Sequence, residues 1–237
     1  MRNIITIAKR EFANYFISPL GYVFTGLLLV VANWMFLSDL FVMNQANMSP
    51  YWGVLVFLLS LFVPAISMGL IADEKRSGTW ETILSLPISE SEMVVGKFLG
   101  SAFYFLFPIV LSLPITITLF ILGTPDPGIL AGGYIGVILL GLAYLALGIF
   151  MSSINNQAIV GFLGATVLLV INNFLGQASF LMRLPSNLRG IIGSLSLSYR
   201  SSKFSSGLIE VGDLFFFLSW IFIFLTLTRI SLKARDK

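Results

Sequence analysis

Four long stretches of the chain carry no charged residue: Phe12–Ser38, Leu40–Ala72, Phe98–Pro125 and Pro127–Met182. Each exceeds the roughly 20 apolar residues that cross a bilayer as a helix. The last is too long for one crossing, and the polar run Ser152-Ser153-Ile154-Asn155-Asn156-Gln157 divides it in two. With a shorter apolar segment near the end of the chain, the pattern predicts spans at about 20–42, 53–72, 98–122, 129–151, 158–178 and 211–230. In the sixth, only Leu214–Thr228 is free of charge. That segment rises about 22 Å as a helix, so Asp213 and Arg229 belong at its two interfaces, with Arg229 snorkelling. The predicted fold is all-α: a polytopic membrane protein with six transmembrane helices.

The first 18 residues follow a different pattern. At 100° per residue Ile4, Ile5, Ala8, Phe12, Tyr15 and Phe16 share a sector of about 120°, with Arg2, Asn3, Thr6, Lys9, Arg10 and Asn14 opposite. Ile7 and Glu11 fit neither side. The segment reads as an amphipathic helix, residues 1–18, lying along the membrane interface and turning into the first span at Ser18-Pro19. Its polar contacts are expected from Lys9 and Arg10, and its apolar ones from Phe12 and Phe16.

Six spans place both termini on one side. Ten of the 14 basic residues fall on that side: Arg2, Lys9, Arg10, Lys75, Arg76, Lys97, Arg229, Lys233, Arg235 and Lys237. The positive-inside bias makes it cytoplasmic. Arg183, Arg189, Arg200 and Lys203 are exceptions, gathered in the segment 179–210 between spans 5 and 6.

The segment 73–97 between spans 2 and 3 carries more than a topological loop needs. Five acidic residues accompany Lys75, Arg76 and Lys97. Trp80, Ile83 and Leu84 share a helical face at i, i+3 and i+4, and Pro87 ends that helix. Ser89-Glu90-Ser91-Glu92 forms a capping box that starts the next one. A short, partly apolar helix held across the cytoplasmic face suits docking into a groove of another protein.

Composition narrows the chemistry. The chain is 57% hydrophobic and 11% charged, with no Cys and no His, against about 25% charge in soluble domains. Thiolate, imidazole and disulfide chemistry are excluded, and no metal site is expected. The pI near 9.3 reflects topology, so no nucleic-acid partner is expected. The spans hold no charge at depth, unlike ion-coupled carriers. Their polar groups, Asn33, Asn172, Asn173 and Gln177, line a pathway or bond between helices. Gly132 and Gly136 in span 4 permit close helix approach. Pro64, Pro108 and Pro114 place kinks in spans 2 and 3.

Together, Glu74-Lys75-Arg76-Ser77-Gly78-Thr79, Leu86-Pro87-Ile88-Ser89 and Gly96-Lys97-Phe98 resemble the signature of ABC-2 type permeases, the membrane subunits of one class of ATP-binding-cassette transporters. Ser18-Pro19-Leu20-Gly21-Tyr22, Ser152-Ser153 with Asn156-Gln157, and Ser196-Leu197-Ser198-Tyr199 with Gly207-Leu208-Ile209 are similar to the gliding-motility-associated subfamily.

The resemblance implies a multi-pass protein of a bacterial inner membrane, with a coupling helix seated in a cleft of a separate cytoplasmic ATPase dimer. The implied docking residues are Glu74, Lys75, Arg76, Gly78, Thr79, Trp80, Glu81, Ile83, Leu84 and Pro87. It also implies a second permease subunit, a larger extracytoplasmic partner, and partial re-entry of segment 179–210 into the membrane. ATP and its magnesium would sit on the ATPase, because this chain has no Gly-x-x-x-x-Gly-Lys-[Ser/Thr]; it is expected not to be an enzyme. The expected function is export, or conformational work across the membrane. The alternative is a motility-associated complex that transmits force and carries no solute.

Overall fold

The structure, a computed structural model, describes residues 2–43, 48–80, 88–123, 125–177 and 181–234. Among them there are eleven helices and no strand. They are α1 (Arg2–Ile17), α2 (Pro19–Met43), α3 (Ser49–Ser67), α4 (Gly69–Arg76), α5 (Glu90–Leu111), α6 (Leu113–Leu122), α7 (Pro127–Ile154), α8 (Ala158–Gly176), α9 (Ser186–Leu195), α10 (Leu197–Phe204) and α11 (Val211–Lys233).

Six stretches are long and apolar enough to cross a membrane: Gly21–Ser38, Pro50–Arg76, Glu90–Ile121, Pro127–Ile154, Ala158–Gly176 and Val211–Lys233. The chain is an all-α multi-pass membrane protein. The second and third outrun their apolar windows, reaching Arg76 and starting at Glu90, because capping rather than hydropathy sets where these helices end. Ser89 accepts from the Glu92 amide and Glu92 accepts from the Ser89 amide, a complete capping box.

The same two spans are each built from two helices. Pro64 lies inside α3 and Pro108 inside α5, and Pro114 opens α6 at a position where a missing N–H costs nothing. Ser67 Oγ donates to the Val63 and Pro64 carbonyls, and Ser112 Oγ donates to the Ile109 carbonyl. Such back-bonding hydroxyls bend helices. α3 gives way to α4 at Met68 and α5 to α6 at Ser112, and the backbone of both residues stays in the helical region.

The central helix is α7, whose buried positions run from Leu130 to Ser153. Around it sit α3, α5, α8, α10 and α11. Gly132 and Gly136 receive not another span but the short helix α10. A Cβ at Gly132 would stand 2.3 Å from the Phe204 carbonyl oxygen, and one at Gly136 2.8 Å from Phe204 Cβ. Thus α10 lies alongside the first turns of α7, with Leu197 and Phe204 fully buried.

Large apolar side chains on the outer faces stay exposed, including Trp34, Ile121, Phe174 and Phe222, as expected where lipid is the solvent. The two ends of the chain meet at one end of the bundle. Asn3 reaches the Glu92 carboxylate at 3.5 Å, and Arg229 stands 4.0 Å from Glu90.

Candidate functional site: an ion network at the root of segment 81–87

The amphipathic helix α1 lies lengthwise on α5. Of the predicted apolar sector Ile4, Ala8, Phe12, Tyr15 and Phe16 are buried or half-buried and only Ile5 is exposed, and the covered face extends past the sector to Ile7 and Glu11. Ile7 and Glu11, which broke the pattern, therefore face protein. Gly96 and Gly100 of α5 make the approach close. A Cβ at Gly96 would sit 2.8 Å from Ile7, and one at Gly100 would sit 2.6 Å from the Ala8 carbonyl oxygen. The other side of the sector, with Ile5 exposed and Lys9 and Phe12 at its edge, borders an apolar groove of about 490 Å³ completed by Phe103 and Phe107. Phe16 packs edge-on against Tyr104 and Phe107.

At this seam Lys97 is buried. Its Nζ donates to Glu11 Oε1 at 3.1 Å and to the Leu70 carbonyl at 2.7 Å, and pairs with Glu74 Oε1 at 2.8 Å. Arg10 reaches the same Glu74 oxygen at 3.3 Å. One ammonium thus joins α1, α4 and α5 through two hydrogen bonds and an ion pair. A buried ion group survives only with such pairing, because desolvation of each charge costs several kcal/mol. Beside it Tyr15 donates to the Ile66 carbonyl at 2.9 Å and stacks on Tyr104 with ring centroids 4.2 Å apart. Burial pushes the Tyr15 phenol far above its ordinary pKa, so it remains a neutral donor. A cavity of about 290 Å³ opens here, with Arg10, Glu11, Asp73, Glu74 and Lys97 among its walls.

Glu74 also controls the backbone beyond it. Ser77 Oγ and Thr79 Oγ1 both donate to the Glu74 carbonyl at 3.2 Å and lie 2.9 Å from each other. Gly78 has φ 72°, a left-handed cap for which Gly carries no Cβ penalty. Helical backbone resumes at Thr79 and Trp80. The Trp80 ring is buried, with the Lys75 ammonium 5.7 Å from its centroid, while Arg76 stays exposed or nearly so at the end of α4. The predicted docking residues Glu81, Ile83, Leu84 and Pro87 lie outside the described residues.

Two serines of α7 hold this corner. Met68 gives α4 no side-chain cap. Instead Ser152 Oγ accepts from the Ile71 and Ala72 amides at 3.2 and 3.1 Å and donates to the Met68 carbonyl at 2.7 Å. Lys75 Nζ donates to the Ser153 carbonyl, placing a cation where the dipole of α7 favours one.

The predicted polar residues within the spans do not converge here. Asn172 accepts from the Leu197 amide at 3.0 Å and so fastens α10 to α8. Asn173 accepts from the buried Tyr144 hydroxyl at 2.5 Å, Gln177 ends α8, and Asn33 keeps Oδ1 buried without a hydrogen bond. Two of the four basic exceptions of segment 179–210, Arg200 and Lys203, are neutralised locally, while Arg189 donates to the Met182 and Leu184 carbonyls. Arg200 pairs with the buried Asp213 and stacks 4.1 Å over the Phe216 ring, and Lys203 pairs with Glu210 at 3.2 Å and Asp213 at 3.5 Å.

Sequence reasoning missed the Glu11–Lys97 pair and the Ser152 cap. The signals that would have found the first are the Gly96-x-x-x-Gly100 spacing and the misfit of Glu11 in its own helix. No charged cluster suited to a metal occurs among the described residues.

A comparison with curated proteins finds no match. The family model described as ABC-2 family transporter protein matches residues 5–237, and the chain belongs to that family of membrane transporter subunits.

Proposed function

We propose that this permease subunit takes ATP-driven motion from a separate cytoplasmic ATPase through the segment 79–87 and passes it to the spans. The observation that carries the reading is the placement of Glu74. Its carbonyl holds the turn that launches the segment, and its carboxylate is tied through Lys97 to α1 and α5. A push delivered at Thr79 therefore reaches α4, α1 and α5 through Glu74. Pro64 and Pro108, each inside a span that flanks the segment, remove a helical hydrogen bond and give those spans a place to bend.

In this reading the Ile83 and Leu84 face approaches a cleft of the ATPase dimer, which binds ATP and magnesium, while Trp80, predicted as a docking residue, is buried in this chain's own core and anchors the segment instead. α1 lies along the cytoplasmic face, and both termini are cytoplasmic in a bacterial inner membrane. A second permease subunit completes an export pathway, and the gliding-motility-like motifs favour a larger extracytoplasmic partner. This chain hydrolyses nothing itself.

The test is purification of the tagged chain from its native membranes in mild detergent. The expected result is a co-purifying ATPase with a Gly-x-x-x-x-Gly-Lys-[Ser/Thr] motif and vanadate-sensitive turnover, both lost on Ile83→Asp with Leu84→Asp. Retention of the ATPase and its turnover in that variant overturns the docking role.

A further inference from the structure

The end of the bundle opposite the ion network holds a cavity of about 380 Å³, walled by α3, α7, α8 and α10. That volume is in the range of small-molecule sites. One wall is apolar, with Val56, Phe57 and Val137; another is a line of hydroxyls, Ser198, Ser201, Ser202 and Ser205. None of its lining residues is charged.

Two polar groups in its wall have no hydrogen bond. Asn173 is 8% exposed and its Nδ2 is unpaired, and Trp52 is 3% exposed with its indole N–H unpaired. A buried polar group left without a partner costs about 1–3 kcal/mol, and native proteins seldom leave two in one wall. Lipid tails cannot supply the missing bonds. Turning the Asn173 amide over exchanges a donor for an acceptor, since the Tyr144 hydroxyl serves as either, and one amide atom still lacks a partner.

We infer that this cavity is a binding site for an uncharged amphipathic molecule, whose apolar body lies along Val56, Phe57 and Val137 and whose hydroxyl or carbonyl oxygens draw the Trp52 indole N–H and the Asn173 amide, both covered by their neighbours, round into the cavity. A hydroxyl suits the site best, because it accepts from Trp52 and matches either orientation of Asn173. Ionic head groups are disfavoured because no countercharge lines the wall to offset their desolvation. Sugar-type and glyceride head groups share the required chemistry. The site belongs to this chain alone and stands or falls without any ATPase docked at the other end.

The cavity provides its own blocking variant. A Cβ at Gly53 meets nothing within 4 Å, and Gly53 is exposed in the cavity wall. The side chain of Gly53→Leu therefore starts in open space at the cavity wall.

The test uses purified full-length chain in lipid nanodiscs, with empty discs as reference, and probes sharing one dodecyl chain length: dodecyl glucoside, monolauroylglycerol, dodecyl sulfate and dodecyltrimethylammonium. The expected result is one saturable site for a neutral probe. Gly53→Leu should weaken it at least about tenfold with an unchanged thermal midpoint, and Asn173→Leu about tenfold, one hydrogen bond's worth. The two ionic probes should match empty discs.

Hydrogen exchange on the unmodified chain gives a second readout, in which the neutral probe should slow exchange across residues 198–205. The tighter of the two neutral probes assigns the source as sugar-type or glycerolipid. Saturable binding of the ionic probes, equal affinity in Gly53→Leu, or unchanged exchange in 198–205 overturns the site.

Discussion

The ammonium of Lys97 stands 2.8 Å from the carboxylate of Glu74, and only 3% of the lysine side chain is exposed. The same ammonium holds Glu11 at 3.1 Å, so a charge at the start of a membrane span is neutralised by one carboxylate before the first span and another after the second. Such a pair contributes little against a hydrophobic replacement, but loss of one partner leaves the others buried and uncompensated. Its value here is positional: it fixes which residue of α4 faces which residue of α1.

Lys97→Met is therefore expected to destabilise the chain by about 3–5 kcal/mol, lowering the thermal midpoint of the detergent-solubilised protein. Adding Glu11→Gln and Glu74→Gln to Lys97→Met should recover much of the loss, because the only charge left without its partner is that of Arg10, which is exposed to solvent. A triple variant as unstable as the single one would show that the lysine acts through packing and not through charge.

The close approach of α1 rests on Gly100. A methyl group there would meet the Ala8 backbone oxygen at 2.6 Å and Glu11 Cβ at 2.7 Å, and backbone cannot swing aside as a flexible side chain can. Gly100→Val should cost about 1–3 kcal/mol by overpacking and speed protease cleavage within residues 2–17. Gly26→Ala is the control, since its Cβ meets nothing within 4 Å; it should leave both cleavage rate and midpoint unchanged.

Ser152 serves α4 as a cap from another helix. Its hydroxyl takes the Ile71 and Ala72 amides and gives a proton to the Met68 carbonyl. Ser152→Ala leaves those amides buried without an acceptor, at about 1–3 kcal/mol. Hydrogen exchange should rise at residues 69–72 more than at residues 140–147 of α7. Uniform acceleration across both would mean that the substitution loosens the bundle and not the cap.

How much of this was legible follows from what each pattern reports. The spans could be read because lipid excludes charge, and Asp73, Glu90 and Asp126 mark where it stops. The amphipathic face of α1 was legible too, and the sector covers protein except at Ile5, but the covered face is wider than the sector. Ile4, Ile7, Ala8 and Glu11 meet α5 while Ile5 faces outward, and Glu11 looked like an error until its partner was known. Gly132 and Gly136 announced close packing without naming what packs, because spacing reports a shape and not its occupant. Ser152 is 80 residues from the amide of Ala72, and a helical serine gives no sign that its hydroxyl caps another helix. Arg200 and Lys203 defied the charge rule for a local reason, the acids at 210 and 213, which the sequence displays but whose pairing only the fold of α10 against α11 brings about.

The last relationship makes a pH prediction. At Lys203 burial works to lower the pKa, but the hydrogen bond to Glu210 and the charge of Asp213 outweigh it, and the net direction is upward from the ordinary value of 10.5. A cationic group with a raised folded-state pKa adds stability that is fully present below its unfolded pKa and is lost as pH rises through the folded one. The ion pairs of α10 with the start of α11 should therefore be intact at neutral pH and fail only in strongly alkaline solution. Solvent reaches part of the pair, so the effect should be small. Thermal midpoints of wild type and Lys203→Met, taken in steps from pH 8 to pH 11.5, should differ at the lower end and converge at the upper. A constant difference across the range would mean that Lys203 stabilises the segment through the packing of its methylene chain and not through its charge.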